Sequence, residues 1–180
     1  MSKANLLLEL YSNLGTTGAV TFSSKSLVNR FLSYADFSHA KTIVEFGGGD
    51  GSITQGIIDR MHPDANLWVF EINKAFCETM KTQFPQANVH IINDSAEHFK
   101  KYLKDGKADL ILTSLPFTLI PKEVSEQILH GSQEGLNPNG RFMQLCYNYR
   151  LKHLFQKYFH QVNANFILRN IPPAWVIICS

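Results

Sequence analysis

The residues best placed to do chemistry form a glycine-rich turn that follows an apolar segment. Ile43, Val44 and Phe46 predict a buried strand, and residues 47–52 then read Gly-Gly-Gly-Asp-Gly-Ser. Glycines allow positive φ and let a ligand approach the backbone where a Cβ would block it. A dinucleotide loop requires Gly-x-Gly-x-x-Gly/Ala, and Ser52 occupies the third glycine position. The turn is therefore not an NAD loop; it is either a different ligand-binding turn or only a tight strand-to-helix connection.

Acidic and polar residues lie near the ends of three consecutive predicted strands. Glu45 lies in the first strand, Glu71 ends the second, and residues 93–95 (Asn-Asp-Ser) end the third. Open α/β sheets bind ligands at the carboxyl edge of their parallel strands. We therefore expect one ligand to contact all three strand ends, with a helix cap as the alternative role for Asp94.

Together these features resemble motif I and the acidic positions that follow it in S-adenosylmethionine-dependent methyltransferases. In that family the glycine loop lies against the methionine portion of the cofactor, the acid after the second strand accepts the ribose hydroxyls, and the acid after the third lies near the adenine amino group. The resemblance implies S-adenosyl-L-methionine as cofactor, S-adenosyl-L-homocysteine as product, and no metal. The residues assigned to the cofactor on this basis are Glu45, Gly47, Gly48, Gly49, Gly51, Ser52, Glu71, Ile72, Asn93, Asp94, Ser95 and Ser114.

The segment after the fourth predicted strand contains residues that could bind the group that accepts the methyl, on what we call the acceptor side of the site. Ser114-Leu115-Pro116-Phe117 is similar to the N/D/S-P-P-Y/F motif of methyltransferases that act on nitrogen, with Leu115 in place of the first proline. The resemblance implies that Ser114 accepts a hydrogen bond from the amine, while the rings of Phe117 and Tyr147 hold the methylated cation by cation–π attraction. These three are the predicted catalytic residues. The alternatives are that Phe117 fills the core and that Tyr147 only ends a strand.

The resemblance spans the chain from Gly18 to its end and is strongest to the short bacterial phospholipid N-methyltransferases. It implies methylation of the amine head group of phosphatidylethanolamine or a related phospholipid, with the helix before Gly18 in contact with the membrane. That helix has one basic residue, Lys3, balanced by Glu9, so leucine burial would have to hold it at the surface. The further segments that carry the resemblance are Gly18-Ala19-Val20-x-x-Ser23-Ser24, Phe70-Glu71-Ile72-Asn73, Phe142-Met143-Gln144-x-x-Tyr147 and Arg169-Asn170-Ile171-Pro172-Pro173-Ala174.

Three other functions are compatible with these residues. An RNA adenine N-methyltransferase has a similar glycine loop and strand-four motif, but it usually holds RNA in a basic groove. A small-molecule or protein methyltransferase, with the two leading helices as a lid, is also compatible. A binding module that has lost catalysis is disfavoured by the intact Glu45, Gly47, Gly49 and Glu71.

Composition excludes several classes of protein. The 180 residues carry 17 Lys+Arg against 15 Asp+Glu, a formal net charge of +2, and 44% are hydrophobic, which excludes disorder and gives no strong nucleic-acid signal. Three cysteines without metal spacing favour neither disulfides nor zinc. No apolar run reaches the ~20 residues of a membrane span, and no signal peptide is recognised. We therefore expect a cytoplasmic protein, possibly peripheral on the inner face of a membrane.

The order of the elements predicts an α/β fold. The resemblance implies a Rossmann-like methyltransferase sheet of seven strands, mostly parallel, in the order 3-2-1-4-5-7-6 with the last strand antiparallel. We divide the chain into a helical segment (1–40), serving as a lid or a peripheral membrane contact, and a cofactor-binding methyltransferase domain (41–180). The predicted strands are Thr42–Phe46, Leu67–Glu71, Val89–Ile92, Asp109–Thr113, Arg141–Cys146, Phe166–Arg169 and Trp175–Cys179.

Two helices are predicted ahead of the sheet. Ser23 or Ser24 is expected to cap the second of them by accepting a hydrogen bond from a helical N–H. Amphipathic helices of this kind most often pack on their own domain. The first helix carries Leu7, Leu10, Tyr11 and Leu14, and the second carries Leu27, Phe31, Leu32 and Ala35.

Overall fold

The computed structural model describes residues 24–103, 106–168 and 172–180. The predicted helix over Leu7 to Leu14 lies outside these residues. The strands are β1 (Thr42–Phe46), β2 (Asn66–Phe70), β3 (Val89–Ile92), β4 (Ala108–Thr113), β5 (Leu136–Cys146), β6 (Val162–Ile167) and β7 (Ala174–Cys179). The helices are α1 (Lys25–Leu32), α2 (Ser52–Ile58), α3 (Lys74–Gln83), α4 (Lys122–Gly135) and α5 (Leu151–Phe155), with a 3₁₀ helix at Ala96–Tyr102.

The seven strands form one sheet in the order β3-β2-β1-β4-β5-β7-β6, as predicted. Strands β1 to β5 run parallel to one another, and β7 runs antiparallel to both β5 and β6. The predicted α/β, Rossmann-like methyltransferase fold is therefore confirmed. The strand order reverses between β1 and β4, and such a switch point opens a crevice at the carboxyl edge of the sheet.

Two strands at the closing end differ from the prediction. The predicted strand Phe166–Arg169 was wrong in position, because β6 covers Val162–Ile167. As an edge strand β6 pairs only with β7, so it tolerates Asn163 and Asn165 and lacks the apolar run that marks an interior strand.

Strand β5 starts at Leu136 instead of at the predicted Arg141, and its pairing with β4 contains a register shift. Ala108 pairs with Leu136 while Leu110 pairs with Arg141. A Cβ on Gly140 would lie 2.9 Å from the carbonyl oxygen of Ala108. The strand therefore needs a glycine at this bulge.

Helix α1 packs on the sheet side that carries α2. The hydroxyl of Ser24 accepts a hydrogen bond from the amide of Leu27 at 3.2 Å, so Ser24 is the expected cap. Leu27, Val28, Phe31 and Leu32 are buried in the same apolar cluster as the α2 residues. This part of the segment before residue 41 thus shares the core of the sheet, while the division of the chain at residue 40 stays a prediction.

All three cysteines of the chain are buried and unpaired. Burial raises the pKa of the thiols of Cys77 and Cys146 to about 11 and that of Cys179 to about 12. Because the thiolate is the reactive form, these side chains are inert apolar groups of the core.

Candidate active site

The glycine loop joins β1 to α2 at the carboxyl edge of the sheet. Gly47, Gly49 and Gly51 all have positive φ, at 79°, 53° and 81°. A Cβ on Gly49 would meet nothing within 4 Å, so the backbone here is open to a ligand. A Cβ on Gly48 would lie 2.6 Å from Cγ1 of Val69, so this glycine is needed for packing against β2.

Glu71 connects the end of β2 to the glycine loop. Its Oε2 accepts a hydrogen bond from the amide of Gly49 at 2.9 Å, and its Oε1 accepts one from the amide of Asn73 at 2.8 Å. Burial raises the pKa of Glu71, against the lowering effect of these amide bonds. Each carboxylate oxygen has a second lone pair, so Glu71 can still accept hydrogen bonds from a diol.

Glu45 is a buried acid on β1 with one oxygen unpartnered. Its Oε2 lies 2.7 Å from the hydroxyl of Thr54 on α2, and its Oε1 has no hydrogen-bond partner among the described residues. Burial, with smaller contributions from Glu71 and Asp50, raises the pKa of Glu45 to about 8 against the opposing bond from Thr54. The side chain is therefore mostly protonated at neutral pH.

Asp50 fixes the start of α2. Its carboxylate accepts hydrogen bonds from the amide of Ser52 at 3.0 Å and from the Ser52 hydroxyl at 2.7 Å. Ser52, which the sequence assigns to the cofactor, thus already holds the loop in shape.

The residues after β3 brace the site from its other side. Asn93 donates from its side-chain amide to the carbonyls of Glu71 and Ile72 at 2.9 and 3.0 Å, which fixes the chain beyond β2. Asp94 accepts hydrogen bonds from Tyr102 and His98 at 2.7 and 2.9 Å.

The charge of Asp94 is stabilised by its neighbours. Partial burial would raise the pKa of Asp94, but bonds from Lys101, His98, Tyr102 and the Ser95 amide together hold it well below its usual range. Asp94 is thus a fixed anion at the edge of the site. The N-cap of the 3₁₀ helix is Ser95, so Asp94 contacts side chains of this helix but does not have the capping role considered as the alternative.

These strand ends line a cleft between the sheet and α4. One wall carries predicted cofactor residues and the other is apolar, which suits a flat purine. The lining residues are Gly47, Phe70, Glu71, Ile72, Asp94, Ser95, Ala96, Leu115, Ile120, Val124 and Ile128.

Sequence reasoning missed the apolar wall of this cleft. Val124 and Ile128 are spaced i, i+4 on α4, which predicts a buried helix face but not which surface that face covers. Thr54, the partner of Glu45, gave no signal beyond its place on a helix.

Ser114 lies where the end of β4 meets the glycine loop. Its amide donates to the carbonyl of Phe46 at 3.4 Å, and its hydroxyl donates to the carbonyl of Gly47 at the same distance. The next residue, Leu115, is held by the side-chain amide of Gln144, which donates to the Leu115 carbonyl at 3.1 Å. The predicted acceptor segment and the predicted cofactor loop are therefore in direct contact.

The other two predicted catalytic residues lie in different surroundings. Phe117 is 4% exposed, and its ring meets Phe155 edge-on at 5.5 Å between centroids, so the ring lies in the core. Tyr147 is 45% exposed and follows β5 at the same edge of the sheet. Of the two, Tyr147 is open to a ligand in this structure.

The site has the features that S-adenosyl-L-methionine requires. Gly49 leaves backbone open beside a buried acid, Glu71 retains acceptor capacity, and the cleft has an apolar wall. Among the described residues, no group of three or more His, Cys, Asp or Glu side chains could hold a metal ion.

Comparison with protein families gives a match over more than half of the chain. Residues 43–140 match the family model described as a methyltransferase domain. The matched range contains β1 except its first residue, β2 to β4, the glycine loop and every residue that lines the cleft.

Two curated proteins resemble the chain in sequence. The ornithine lipid N-methyltransferase of Singulisphaera acidiphila is 28% identical over 148 residues, covering 79% of this chain and 77% of that protein. The ribosomal RNA small subunit methyltransferase A of Mycoplasma capricolum is also 28% identical, but over 101 residues that cover 53% of this chain and 36% of that protein.

The fold recurs among solved structures. TrmN from Thermus thermophilus superimposes with a TM-score of 0.68 at 18% identity, over 86% of this chain and 48% of that one. At this identity the likeness concerns the fold alone.

Proposed function

Because the chain belongs to the methyltransferase-domain family, we propose that this S-adenosylmethionine-dependent methyltransferase methylates the amine head group of phosphatidylethanolamine or a related phospholipid. The observation that carries the proposal is the similarity to a lipid N-methyltransferase along most of both chains. The RNA methyltransferase that resembles the chain is matched over about a third of its own length. A lipid amine is therefore the preferred acceptor, and RNA is the second candidate.

The proposed cofactor residues are those that line or shape the cleft. When bound there, S-adenosyl-L-methionine supplies an electrophilic methyl group on a sulfonium. Glu71 would accept the ribose hydroxyls with the lone pairs that its two amide partners leave free. Asp94 and Ser95, which also line the cleft, would contact the purine. The other proposed contacts are Glu45, Gly48, Gly49, Gly51, Ser52, Ile72, Asn93 and Ser114.

Ser114 is the residue proposed to orient the amine. Its hydroxyl proton is directed to the Gly47 carbonyl, so its oxygen lone pairs are left to accept a hydrogen bond from an N–H. A bond of this kind would direct the nitrogen lone pair towards the methyl group, and holding the two in line is most of the catalysis. An ammonium group must first lose its proton, which apolar surroundings favour.

A long-chain phospholipid acceptor is presented at a membrane surface, which the protein would reach from the cytoplasm as a peripheral protein. Among the helices of the described residues, none has the length and apolar character needed to cross a bilayer.

The test is transfer of labelled methyl from S-adenosyl-L-methionine to phosphatidylethanolamine vesicles, with ornithine lipid, structured RNA and a mixture of small amines assayed in parallel. We expect label in the lipid fraction. Label in RNA alone, or in small amines alone, would contradict the lipid assignment while leaving the family unchanged.

A pair of glycine variants provides the control. Gly49 and Gly106 both have positive φ, at 53° and 63°, and neither has a neighbour that a Cβ would strike. Gly49→Ala and Gly106→Ala therefore impose similar backbone strain, one inside the loop and one away from it. Methyl transfer should fall far more in Gly49→Ala.

A further inference from the structure

Two exposed aromatic rings, an exposed leucine and a partly buried tryptophan lie together at one end of the sheet. The ring of Trp175 lies 4.6 Å from that of Tyr149 and 4.7 Å from that of Phe166, between centroids. Tyr149 is 40% exposed, Phe166 47% and Leu168 73%. We call these four residues the aromatic rim. Exposed apolar surface that is clustered in this way marks an interaction site.

The aromatic rim lies at the same edge of the sheet as the cofactor cleft. Strand β7 begins at Ala174 and runs antiparallel to β5, so Trp175 lies beside Cys146 at the carboxyl end of β5. Strand β6 ends at Ile167 at this edge, with Phe166 opposite Trp175. A surface that contacts the rim would therefore lie on the same edge as the acceptor side.

The surroundings of the aromatic rim are basic. Arg150 and Lys152 follow Tyr149, and the Lys152 ammonium lies 5.9 Å from the centroid of the Tyr149 ring. Arg30 on α1 lines a groove together with Phe166 and Leu168. The sequence has no aspartate or glutamate after Glu134. The rim thus combines apolar rings with cations, and neither the sequence after Glu134 nor α1 contributes an acid that would repel an anionic surface.

From this geometry we propose that the aromatic rim docks the protein on an anionic phospholipid surface. Tryptophan and tyrosine favour the membrane–water interface, where their rings meet acyl chains and their polar atoms meet water. Lysine and arginine beside them are attracted to anionic head groups. The exposed leucine favours a membrane over RNA, because it provides insertion into acyl chains but no plane for base stacking. The proposal rests on the proposed lipid acceptor, whose membrane the rim would bring to the cleft.

Vesicle binding tests the proposal without relying on activity. The protein is sedimented with vesicles of phosphatidylethanolamine and phosphatidylglycerol, and with vesicles of phosphatidylcholine alone, over a range of salt concentrations. Binding should require the anionic lipid and weaken as salt increases.

Two double variants separate the charged and apolar parts of the surface. Arg150→Glu with Lys152→Glu should weaken binding to anionic vesicles by about tenfold or more. Phe166→Ser with Leu168→Ser should also weaken it, including at high salt. Arg141→Glu is the charge-reversal control: Arg141 belongs to the same acid-free segment but pairs with Leu110 inside β5, away from the carboxyl end of that strand, where the rim lies.

Tryptophan fluorescence provides a second measurement. The chain has two tryptophans, so Trp68→Phe leaves Trp175 as a single reporter. Its emission should shift to shorter wavelength on vesicle binding and be quenched by lipids brominated in the acyl chains. An unchanged Trp175 spectrum on vesicle-bound protein would overturn the proposal.

Three other outcomes would overturn the proposal that the aromatic rim docks on a membrane. Equal vesicle binding by the rim variants and Arg141→Glu would overturn the proposal. So would loss of structured-RNA binding in the rim variants with vesicle binding intact, which would make the rim an RNA interface. Conversion of a dimer to a monomer by Phe166→Ser with Leu168→Ser, with vesicle binding intact, would make it a contact between copies of the chain.

The failure of this proposal can be distinguished from failure of the proposed function. Methyl transfer to a short-chain, monomeric phosphatidylethanolamine needs no vesicle surface. Activity on that substrate without rim-dependent vesicle binding would overturn the rim alone. Rim-dependent vesicle binding without methylation of any lipid would overturn the proposed acceptor alone.

Discussion

Glu71 joins the end of β2 to the glycine loop through two amide hydrogen bonds. Glu71→Gln keeps the shape of the side chain but removes the charge and replaces one acceptor with a donor. We expect the dissociation constant for S-adenosyl-L-methionine to rise by about tenfold or more, since bonds to a charged group contribute about 1.5–3 kcal/mol. Calorimetric titration measures this change. Asp59→Asn, the same charge change on an exposed residue after α2, should bind normally. An unchanged dissociation constant in Glu71→Gln would show that Glu71 does not bind the ribose.

Glu45 makes the stability of the protein depend on pH. Burial raises its pKa from 4.5 to about 8 in the folded protein. Between these values the folded state holds a proton that the unfolded state has released. The contribution of this proton to the free energy of unfolding is therefore fully present below about pH 4.5. It falls by up to about 1.4 kcal/mol per pH unit as pH rises towards 8.

Urea unfolding of the wild type and of Glu45→Gln at intervals from pH 5 to 8 isolates this contribution. The free energy of unfolding should decline less steeply with pH in Glu45→Gln, because glutamine keeps a neutral side chain in both states. Parallel pH profiles for the two proteins would contradict a proton on Glu45.

Phe117 and Tyr147 were predicted to have the same role, but the structure gives them different surroundings. Phe117 is buried against Phe155, so Phe117→Ala should cost about 3–5 kcal/mol of unfolding free energy. Phe117→Leu and Tyr147→Leu are better tests of catalysis, because the first conserves most of the packing and the second changes an exposed side chain.

If both rings contact the acceptor, turnover should fall in each leucine variant by more than cofactor affinity does. Steady-state kinetics and calorimetric titration give the two quantities. Wild-type turnover in Phe117→Leu would show that the Phe117 ring only fills the core, which is the alternative considered from the sequence.

Among the elements, the contact of α1 with α2 depends on a glycine. A Cβ on Gly56 would lie 2.6 Å from Cδ1 of Leu32 and 2.8 Å from Cγ1 of Val28. Gly56→Ala should therefore displace α1 and lower the free energy of unfolding by about 1–3 kcal/mol. Gly131→Ala on α4 is the control, because its Cβ would lie 3.6 Å from Phe99, an ordinary contact.

Thermal or urea unfolding compares these two variants. Gly131→Ala should gain about 0.5–1 kcal/mol, because alanine is the better helix former. A gain in the free energy of unfolding in both variants would show that α1 can move away from α2 without destabilising the protein.

At the scale of the whole molecule, the sequence predicted strands β1 to β4 closely. The bounds of β1 and β3 match the prediction, and those of β2 and β4 differ from it by one residue. Both β3 and β6 are edge strands, but β3 is apolar except for His90, whereas Asn163 and Asn165 interrupt the apolar pattern of β6, so β6 was misplaced.

The candidate site was predictable where local sequence determines it. Five predicted cofactor residues, Gly47, Glu71, Ile72, Asp94 and Ser95, line the cleft. The apolar wall from α4 and the inward direction of the Phe117 ring depend on packing between segments far apart in sequence. Neither leaves a local pattern that spacing or residue type could reveal.

The burial of every cysteine has a practical consequence for spectroscopy. Cys77, Cys146 and Cys179 are enclosed and their thiol pKa values are raised, so maleimide reagents should react with them slowly in the folded protein. A cysteine introduced at exposed position Leu168 would then be the preferred labelling site on an otherwise unmodified sequence. A fluorophore or spin label placed there would report the local environment of β6 without removal of a native thiol.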